Sequence, residues 1–197
     1  MPFFKYLDEY SDITDITFND RKHLGPLDKA SQRIMRGSSP FSFAERELFA
    51  AYVSGLNECQ FCYGSHKAVA QNFGVSESIV EDLIHDIDSA PVADNLKPIF
   101  HYLRTLTLSA SRLVQSDADK VYAKGWSEEA LHHAILIGCL FNFYNRLLDG
   151  HGIKGNDKIY QFGGSHLHEN GYGVPWFIGW IKDGLRKKKV KLLKENH

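Results

Sequence analysis

Two cysteines and a histidine lie close together in the segment Glu58-Cys59-Gln60-Phe61-Cys62-Tyr63-Gly64-Ser65-His66. On an α-helix of about 3.6 residues per turn, Cys59, Cys62 and His66 share one face, so the two sulfur atoms can meet. A thiol in the first turn of a helix lies next to unpaired amides, which favour the nucleophilic thiolate form. His66, one turn beyond Cys62, can take up or hold a proton. The spacing therefore predicts a redox-active dithiol.

The same side chains allow other interpretations. The cysteines can be small buried apolar residues with His66 hydrogen-bonded in the core, or they can form half of a zinc site, although the chain has no second Cys-x-x-Cys pair. Covalent haem attachment is excluded, because Tyr63 stands where the histidine must follow the second cysteine. A thioredoxin-like domain is disfavoured, because it would place the pair after a β-strand and the preceding residues have helical periodicity.

The elements before and around the cysteines form a predicted helix hairpin. Ser42 and Glu45 make a capping box, and apolar residues follow it at helical spacing, which predicts a helix that ends near Leu56. A second helix is expected from Glu58 to about Phe73, with Asn57 as its cap. The hairpin would thus present the dithiol at the N-terminus of its second helix.

Helical periodicity also dominates the rest of the chain. Further helices are expected after Ser76, from about Pro98, after Ser116, and from Ser127 to about Asp149. The middle of the last of these, from Ala134 to Phe141, is apolar on nearly every face and predicts a buried central axis. Cys139 lies in this stretch and is expected to be an inert core residue.

The two ends of the chain are less regular. The pattern before Phe41 is mixed, and the glycine-rich residues after Gly150 predict a loop, followed by a short helix from Trp176 to about Leu193. The basic run from Arg186 to Lys191 is expected to be a solvated helix face. Trp176, Phe177 and Trp180 form an aromatic patch that could dock on the bundle or on a neighbouring subunit. The sequence predicts one all-α domain over residues 1–197.

Composition limits the possible functions. The chain has 197 residues and a formal net charge of −1, so it lacks the basic field that nucleic-acid binding needs. It contains no apolar run of membrane-spanning length, and its first residues do not form a signal peptide. Three cysteines argue against a disulfide framework. We expect a cytoplasmic protein that binds neither nucleic acid nor membrane.

The stretch from Glu45 to His66 resembles the core motif of the alkylhydroperoxidase D-like family, within the carboxymuconolactone decarboxylase superfamily. Gly125-Trp126-Ser127 and Asn145-Arg146 are similar to motifs of its peroxidase-related branch. The resemblance covers roughly residues 40–155. It implies an all-helical bundle that assembles into homo-oligomers, such as dimers, trimers or hexamers.

The resemblance also implies roles for four residues. Cys62 would attack the peroxide, Cys59 would resolve the product as a disulfide, and His66 with Glu47 would relay protons. Periodicity alone places Glu47 about 200° from Phe49 and thus toward solvent, so only the resemblance moves it inward. Phe61 departs from the family pattern, since well-studied members can carry a histidine there, and one part of their proton network is absent.

The resulting prediction is a cysteine-based peroxidase for hydrogen peroxide or organic hydroperoxides that needs no cofactor and no metal. Its reductant would be an external thiol, and for the best-known members of the family that thiol belongs to a lipoylated carrier protein. Two alternatives stay open. One is a thiol–disulfide oxidoreductase or redox sensor without significant peroxidase turnover, and the other is a non-enzymatic oligomeric protein with a vestigial dithiol.

Overall fold

The computed structural model describes residues 1–173 and 178–195 of the chain. Within these residues it contains α-helices, one short turn of 3-10 helix and no β-strand. The α-helices are α1 (Ile13–Asn19), α2 (Arg21–Arg36), α3 (Phe43–Leu56), α4 (Gln60–Asn72), α5 (Ile79–His85), α6 (Lys97–Ser109), α7 (Gln115–Tyr122), α8 (Glu128–Gly150), α9 (Asp157–Asn170) and α10 (Ile178–Glu195). The predicted all-α fold class is confirmed.

The main core lies where α3 and α6 pack against α8. Phe49 on α3 is fully buried there, and its ring meets the edges of Phe41 at 5.0 Å and Phe100 at 5.2 Å between centroids. Burying one such side chain stabilises the fold by about 1.5–3 kcal/mol. The predicted capping box begins α3. The Glu45 carboxylate accepts a hydrogen bond from the Ser42 amide at 2.7 Å, and the Ser42 hydroxyl accepts one from the Glu45 amide at 3.2 Å.

Helix α4 begins two residues later than the sequence predicted. Asn57 is the C-cap of α3, and Cys59 is the N-cap of α4, so the connection between the two helices is only three residues long. The dithiol nevertheless lies at the N-terminus of the second helix, as the sequence predicted.

The prediction of a loop after Gly150 is wrong for most of that segment. Residues Asp157–Asn170 form α9, which Asn156 caps by accepting the amide of Ile159 at 3.1 Å. This helix packs closely along α4. The close packing is possible because position 164 is a glycine, where an added Cβ would lie 2.9 Å from the Cβ of Ala68 on α4. A residue type that weakens an isolated helix is therefore what allows this one to dock.

Helix α8 is central but is not buried on every face, so the expectation for Cys139 is also wrong. Cys139 is exposed, and it lies between Leu136 and Phe143, which are 37% and 42% exposed. The three side chains follow each other at helical spacing and form one apolar stripe, which we call the α8 stripe.

The two cysteines belong to a second, smaller apolar cluster. It joins them to Leu7, Ile16 and Leu193, which lie on or near α1 and α10. No helix in the described part of the chain is long and apolar enough to cross a membrane.

Ion pairs hold α10 against α1. Arg186 pairs with Asp8 and Asp15 at 2.8 Å each, and Lys189 pairs with Asp12 at 2.6 Å. We call this group of ion pairs the terminal clamp. Two members of the basic run are thus partners of acidic residues rather than a solvated face. Trp176, Phe177 and the side chain of Trp180 lie outside the described residues.

Candidate functional site

A sharp turn between α3 and α4 sets the position of the dithiol. Glu58 has a φ of +55°, in the left-handed region that is uncommon for residues other than glycine. The Cys59 amide then donates to the Ser54 carbonyl at 3.1 Å, and the Cys59 carbonyl accepts the Tyr63 amide at 2.9 Å. Both contacts tie the backbone of Cys59 to the helices on either side of it. The Glu58 side chain is exposed.

Both sulfur atoms are buried and close to each other. Cys59 is 0% exposed and Cys62 is 2% exposed. The Cys62 thiol donates a hydrogen bond to the Cys59 sulfur and, together with the Cys62 backbone amide, lowers the pKa of Cys59 in spite of its burial. Burial, and the adjacent Cys59 sulfur, raise the pKa of Cys62 well above its ordinary value. Of the two thiols, Cys59 is therefore the one that loses its proton more readily.

His66 and Glu47 form a buried pair beside the dithiol. Glu47 is 0% exposed, and its Oε2 lies 2.8 Å from Nδ1 of His66. Because the carboxylate accepts the proton on Nδ1, the lone pair of the neutral imidazole lies on Nε2. The ring is fixed between Tyr172, to which it is nearly parallel at 6°, and Phe141, whose edge it meets at 4.4 Å between centroids.

Two residues that the sequence analysis did not select complete this network. Arg36 on α2 pairs with Oε1 of Glu47 at 2.7 Å, and the Tyr172 hydroxyl donates to the same carboxylate at 2.8 Å. Burial alone would raise the pKa of Glu47, but the hydrogen bonds from His66 and Tyr172 and the charge of Arg36 outweigh it and lower the pKa. Glu47 is thus held as a carboxylate.

Neither of these residues could have been found from the motif. Arg36 lies in the segment before Phe41, where the sequence pattern is mixed, and Tyr172 lies in the connection before α10. In the structure the two residues contact each other, because the Arg36 guanidinium lies over the Tyr172 ring, 4.9 Å from its centroid.

Asn145 connects α8 to the dithiol. It is fully buried, donates to the Ser54 hydroxyl at 2.9 Å and accepts from the Asn57 side chain at 2.8 Å. Its side chain also bonds Cys62 and acts to lower the pKa of that thiol, against the effect of burial. Its neighbour Arg146 is exposed and bonds the Asn142 carbonyl on its own helix at 2.7 Å.

The structure brings the four residues implied by the resemblance into one region. Cys59 and Cys62 contact each other, and Glu47 contacts His66. Within the described residues no hydrogen bond joins His66 to either sulfur atom, so the two pairs are neighbours rather than one connected chain. Among residues 1–173 and 178–195, no group of three or more His, Cys, Asp or Glu side chains lies close enough together to hold a metal ion.

Solved structures with the same fold carry the description that the sequence resemblance predicted. One is the alkylhydroperoxidase AhpD core of an uncharacterized peroxidase-related protein from Ralstonia eutropha JMP134, with a TM-score of 0.67 and 16% identity over 77% of this chain and 80% of that chain. Another is an uncharacterized peroxidase-related protein from Silicibacter sp. TM1040, with a TM-score of 0.63 and 20% identity over 81% of this chain and 94% of that chain.

No family model matches the sequence, and no curated protein sequence matches it significantly. At identities of 16% and 20%, the likeness to the two solved structures shows the fold, which is that of the AhpD core.

Proposed function

We propose that this protein is a cysteine-based peroxidase that reduces hydrogen peroxide or organic hydroperoxides through a cycle between the dithiol and the disulfide of Cys59 and Cys62. The observation that carries the proposal is the contact between these two buried thiols at the start of α4, beside a histidine that is held by a buried carboxylate. The fold shared with AhpD-core and peroxidase-related proteins supports it.

The first half of the cycle oxidises Cys62. Once Cys59 has lost its proton to solvent, the proton of Cys62 moves to it along the hydrogen bond that the two sulfur atoms share. The Cys62 thiolate then attacks one peroxide oxygen, the O–O bond breaks, and Cys62 becomes a sulfenic acid. The alkoxide or hydroxide that leaves takes a proton from Nε2 of His66, which has taken up that proton from solvent, while Nδ1 stays hydrogen-bonded to the Glu47 carboxylate.

The second half forms the disulfide. The Cys59 sulfur attacks the Cys62 sulfenic acid, the S–O bond breaks, and the hydroxyl group leaves as water with the proton that Cys59 received from Cys62. An external dithiol then supplies two electrons and two protons by thiol–disulfide exchange and restores both thiols. A lipoyl-type group has this chemistry, and we propose a reductant of that class.

The burial of the thiols favours a small oxidant over a protein disulfide. With exposed fractions of 0% and 2%, neither sulfur offers surface to a disulfide that is fixed in another folded protein, whereas the dithiol of a flexible lipoyl-type arm can follow the same narrow path as a peroxide. A peroxide of a few atoms needs a much smaller opening. This distinction supports peroxidase chemistry over general thiol–disulfide exchange.

The test is a count of free thiols in the denatured protein before and after one equivalent of peroxide. Since Cys139 is exposed and would contribute its own oxidation, the measurement uses a Cys139→Ser background. We expect two thiols to disappear together within seconds. If both thiols persist while added low-molecular-weight disulfides remove them, the exchange alternative replaces the peroxidase proposal.

Two variants assign the roles of the cysteines. Cys62→Ser should abolish peroxide consumption, whereas Cys59→Ser should consume one equivalent and leave a sulfenic acid that a cyclic diketone labels at Cys62. The opposite pattern would assign the attack to Cys59, whose pKa is lowered, whereas that of Cys62 is raised.

We further propose that the protein acts in the cytoplasm as a homo-oligomer. Three unpaired cysteines suit a reducing compartment, and the exposed α8 stripe suits a contact between subunits.

A further inference from the structure

The buried pair of Glu47 and His66 can hold an added proton in two ways. When Nε2 of His66 takes up a proton, the other ring proton lies in the 2.8 Å hydrogen bond between Nδ1 and the Glu47 carboxylate. That proton can stay on Nδ1, which gives an imidazolium beside a carboxylate. It can also move to Oε2, which gives a neutral imidazole beside a carboxylic acid. The two arrangements contain the same atoms and differ only in where the charge lies.

Burial alone favours the neutral arrangement of this pair. Glu47 is 0% exposed and His66 is 7% exposed, and charged groups lose stability when they are taken out of water. The difference matters for the proposed chemistry, because the Nε2 hydrogen of an imidazolium is a far stronger acid than that of a neutral imidazole. A neutral pair would therefore be a poor proton donor to the leaving oxygen.

The Tyr172 hydroxyl opposes this effect of burial. It lies 2.8 Å and 2.9 Å from the two oxygens of Glu47, and 3.3 Å from Nδ1 of His66. Burial and the adjacent carboxylate raise the pKa of the Tyr172 phenol well above its ordinary value, so Tyr172 keeps its proton and donates it. A donated hydrogen bond stabilises a carboxylate more than a carboxylic acid. Tyr172 therefore favours the charged arrangement.

Arg36 acts in the same direction from the other side of Glu47. Its guanidinium lies 2.7 Å from Oε1 of Glu47. A fixed positive charge at that distance favours the carboxylate over the carboxylic acid. The guanidinium is itself held in place by three aromatic rings, with 4.9–5.3 Å to their centroids, which belong to Phe43, Phe73 and Tyr172.

The charged and titratable groups that act on Glu47 come from several elements. They are Arg36 on α2, Arg46 on α3 itself, His66 on α4 and Tyr172 before α10. Arg46 bonds the carbonyl of Phe41 at 3.1 Å, so it contributes charge but no hydrogen bond to the pair. Tyr172 is thus the neutral donor of the group.

The backbone before α10 fixes Tyr172 in this place. Gly171 ends α9 with a φ of +69°, and an added Cβ there would lie 2.7 Å from the side chain of Gln32 on α2. The Tyr172 amide donates to Oε1 of Gln32 at 2.6 Å, and the Tyr172 ring is nearly parallel to that of His66, at 6°. Tyr172→Phe would therefore remove the donor and keep the ring that packs on His66.

We propose that Tyr172 is a positioning residue that, together with Arg36, holds the protonated pair as imidazolium and carboxylate, so that Nε2 of His66 acts as a strong acid toward the leaving oxygen. The inference rests on the proposed peroxidase function. In this step the bond between Cys62 and oxygen forms, the O–O bond breaks, and the leaving oxygen takes the Nε2 proton. A neutral imidazole stays behind, with Nδ1 still donating to the Glu47 carboxylate, and solvent returns a proton to Nε2.

The experiment compares two oxidants whose leaving groups differ in their need for a proton. tert-Butyl hydroperoxide releases an alkoxide, which must be protonated, whereas peracetic acid releases acetate, which is stable without a proton. The rate of Cys62 oxidation is measured in single turnovers of the Cys139→Ser protein with and without Tyr172→Phe. We expect Tyr172→Phe to slow the reaction with tert-butyl hydroperoxide by at least about tenfold and to leave the reaction with peracetic acid within about twofold of the parent rate.

Tyr63→Phe is the matched control, because the Tyr63 hydroxyl also donates to a carboxylate, that of Glu81 at the surface. It should leave both rates unchanged. Equal slowing with both oxidants would show that Tyr172 is merely structural, and no slowing with either would show that its hydroxyl does not act, so each result overturns the proposal. A Cys139→Ser protein that reacts with neither oxidant overturns the proposed function instead.

Nitrogen NMR of the parent protein provides a second measurement if Tyr172→Phe does not fold. The protein is labelled at the ring nitrogens of histidine, and the His66 signals are those that His66→Gln lacks. As pH falls and His66 takes up a proton, both of its ring nitrogens should carry hydrogen. A protonated pair in which Nδ1 is bare would mean that the proton has moved to Glu47 and would overturn the proposal, whether or not the protein reacts with peroxide.

Discussion

Glu47 shows how one buried charge can be stabilised from several sides. Three donors, on Arg36, His66 and Tyr172, surround a carboxylate that is 0% exposed. Removing one partner of a buried ion pair costs more than the pair contributes, because the other charge stays buried alone. Each of the four groups therefore depends on the others.

We predict that Glu47→Gln destabilises the protein by about 3–5 kcal/mol near neutral pH, because Arg36 is left buried without its counter-charge. The pKa of Glu47 is lowered in the folded state, so the stability that its charge contributes is fully present above its unfolded pKa of about 4.3. It is lost as pH falls through the lower folded value.

Urea unfolding across the acid range checks this prediction. The difference between the parent protein and Glu47→Gln should be constant from neutral pH to about pH 5 and should shrink below about pH 4. Glu169→Gln removes an exposed carboxylate and should leave the unfolding curve nearly unchanged at every pH. A difference that grows as the solution becomes more acidic would contradict the lowered pKa.

At the scale of the helices, the contact between α4 and α9 depends on a single missing side chain. An added Cβ at Gly164 would lie 2.9 Å from the Ala68 Cβ and 3.2 Å from the backbone of α4. We predict that Gly164→Ala destabilises the protein by about 1–3 kcal/mol, because one of the two helices must move.

The neighbouring residue provides the control for this prediction. Gly163 also lies inside α9, and an added Cβ there would meet no atom within 4 Å. Gly163→Ala should therefore stabilise the protein by up to about 1 kcal/mol through helix propensity alone. Thermal unfolding of the two variants should give shifts of opposite sign, and shifts of the same sign would show that the packing at Gly164 is not what limits the contact.

Much of the fold could be predicted where local signals and tertiary packing agree. The capping residues Ser42 and Ser127 begin α3 and α8, as their side-chain hydrogen bonds require. The α9 segment could not be predicted, because the gain from docking Gly164 against α4 is not visible in local propensity. Cys139 was misplaced for a similar reason, since an apolar helix segment does not reveal which of its faces lacks a partner.

The candidate site could also be predicted only in part. The contact of Cys59 with Cys62 follows from helical spacing, but the inward position of Glu47 depends on Arg36 and Tyr172, which lie on α2 and before α10. A buried carboxylate is possible only where distant residues supply the compensating donors. Spacing within one helix contains no information about them.

At the scale of the whole molecule, the α8 stripe is the feature that predicts assembly. Leu136 and Phe143, which are 37% and 42% exposed, present apolar surface on both sides of Cys139. We predict that sedimentation at micromolar concentration gives a mass that is a multiple of 22.4 kDa, and that Phe143→Ser shifts it toward the monomer.

Leu108→Ser is the comparison for this prediction, because Leu108 is 52% exposed but lies on α6, outside the α8 stripe. It should leave the mass unchanged. A monomeric parent protein would refute the assembly, and equal effects of the two variants would show that the α8 stripe is not the contact.

The terminal clamp has a consequence for how the molecule is made. Arg186 and Asp15 are 171 residues apart, so their contact closes a loop that includes almost every helix described above. During synthesis on the ribosome, α1 emerges early and must wait for α10, and long-range contacts of this kind form late in folding. Until then the apolar cluster around the dithiol lacks Leu193. Until the terminal clamp closes, the dithiol of a newborn chain is therefore less well covered than in the finished fold.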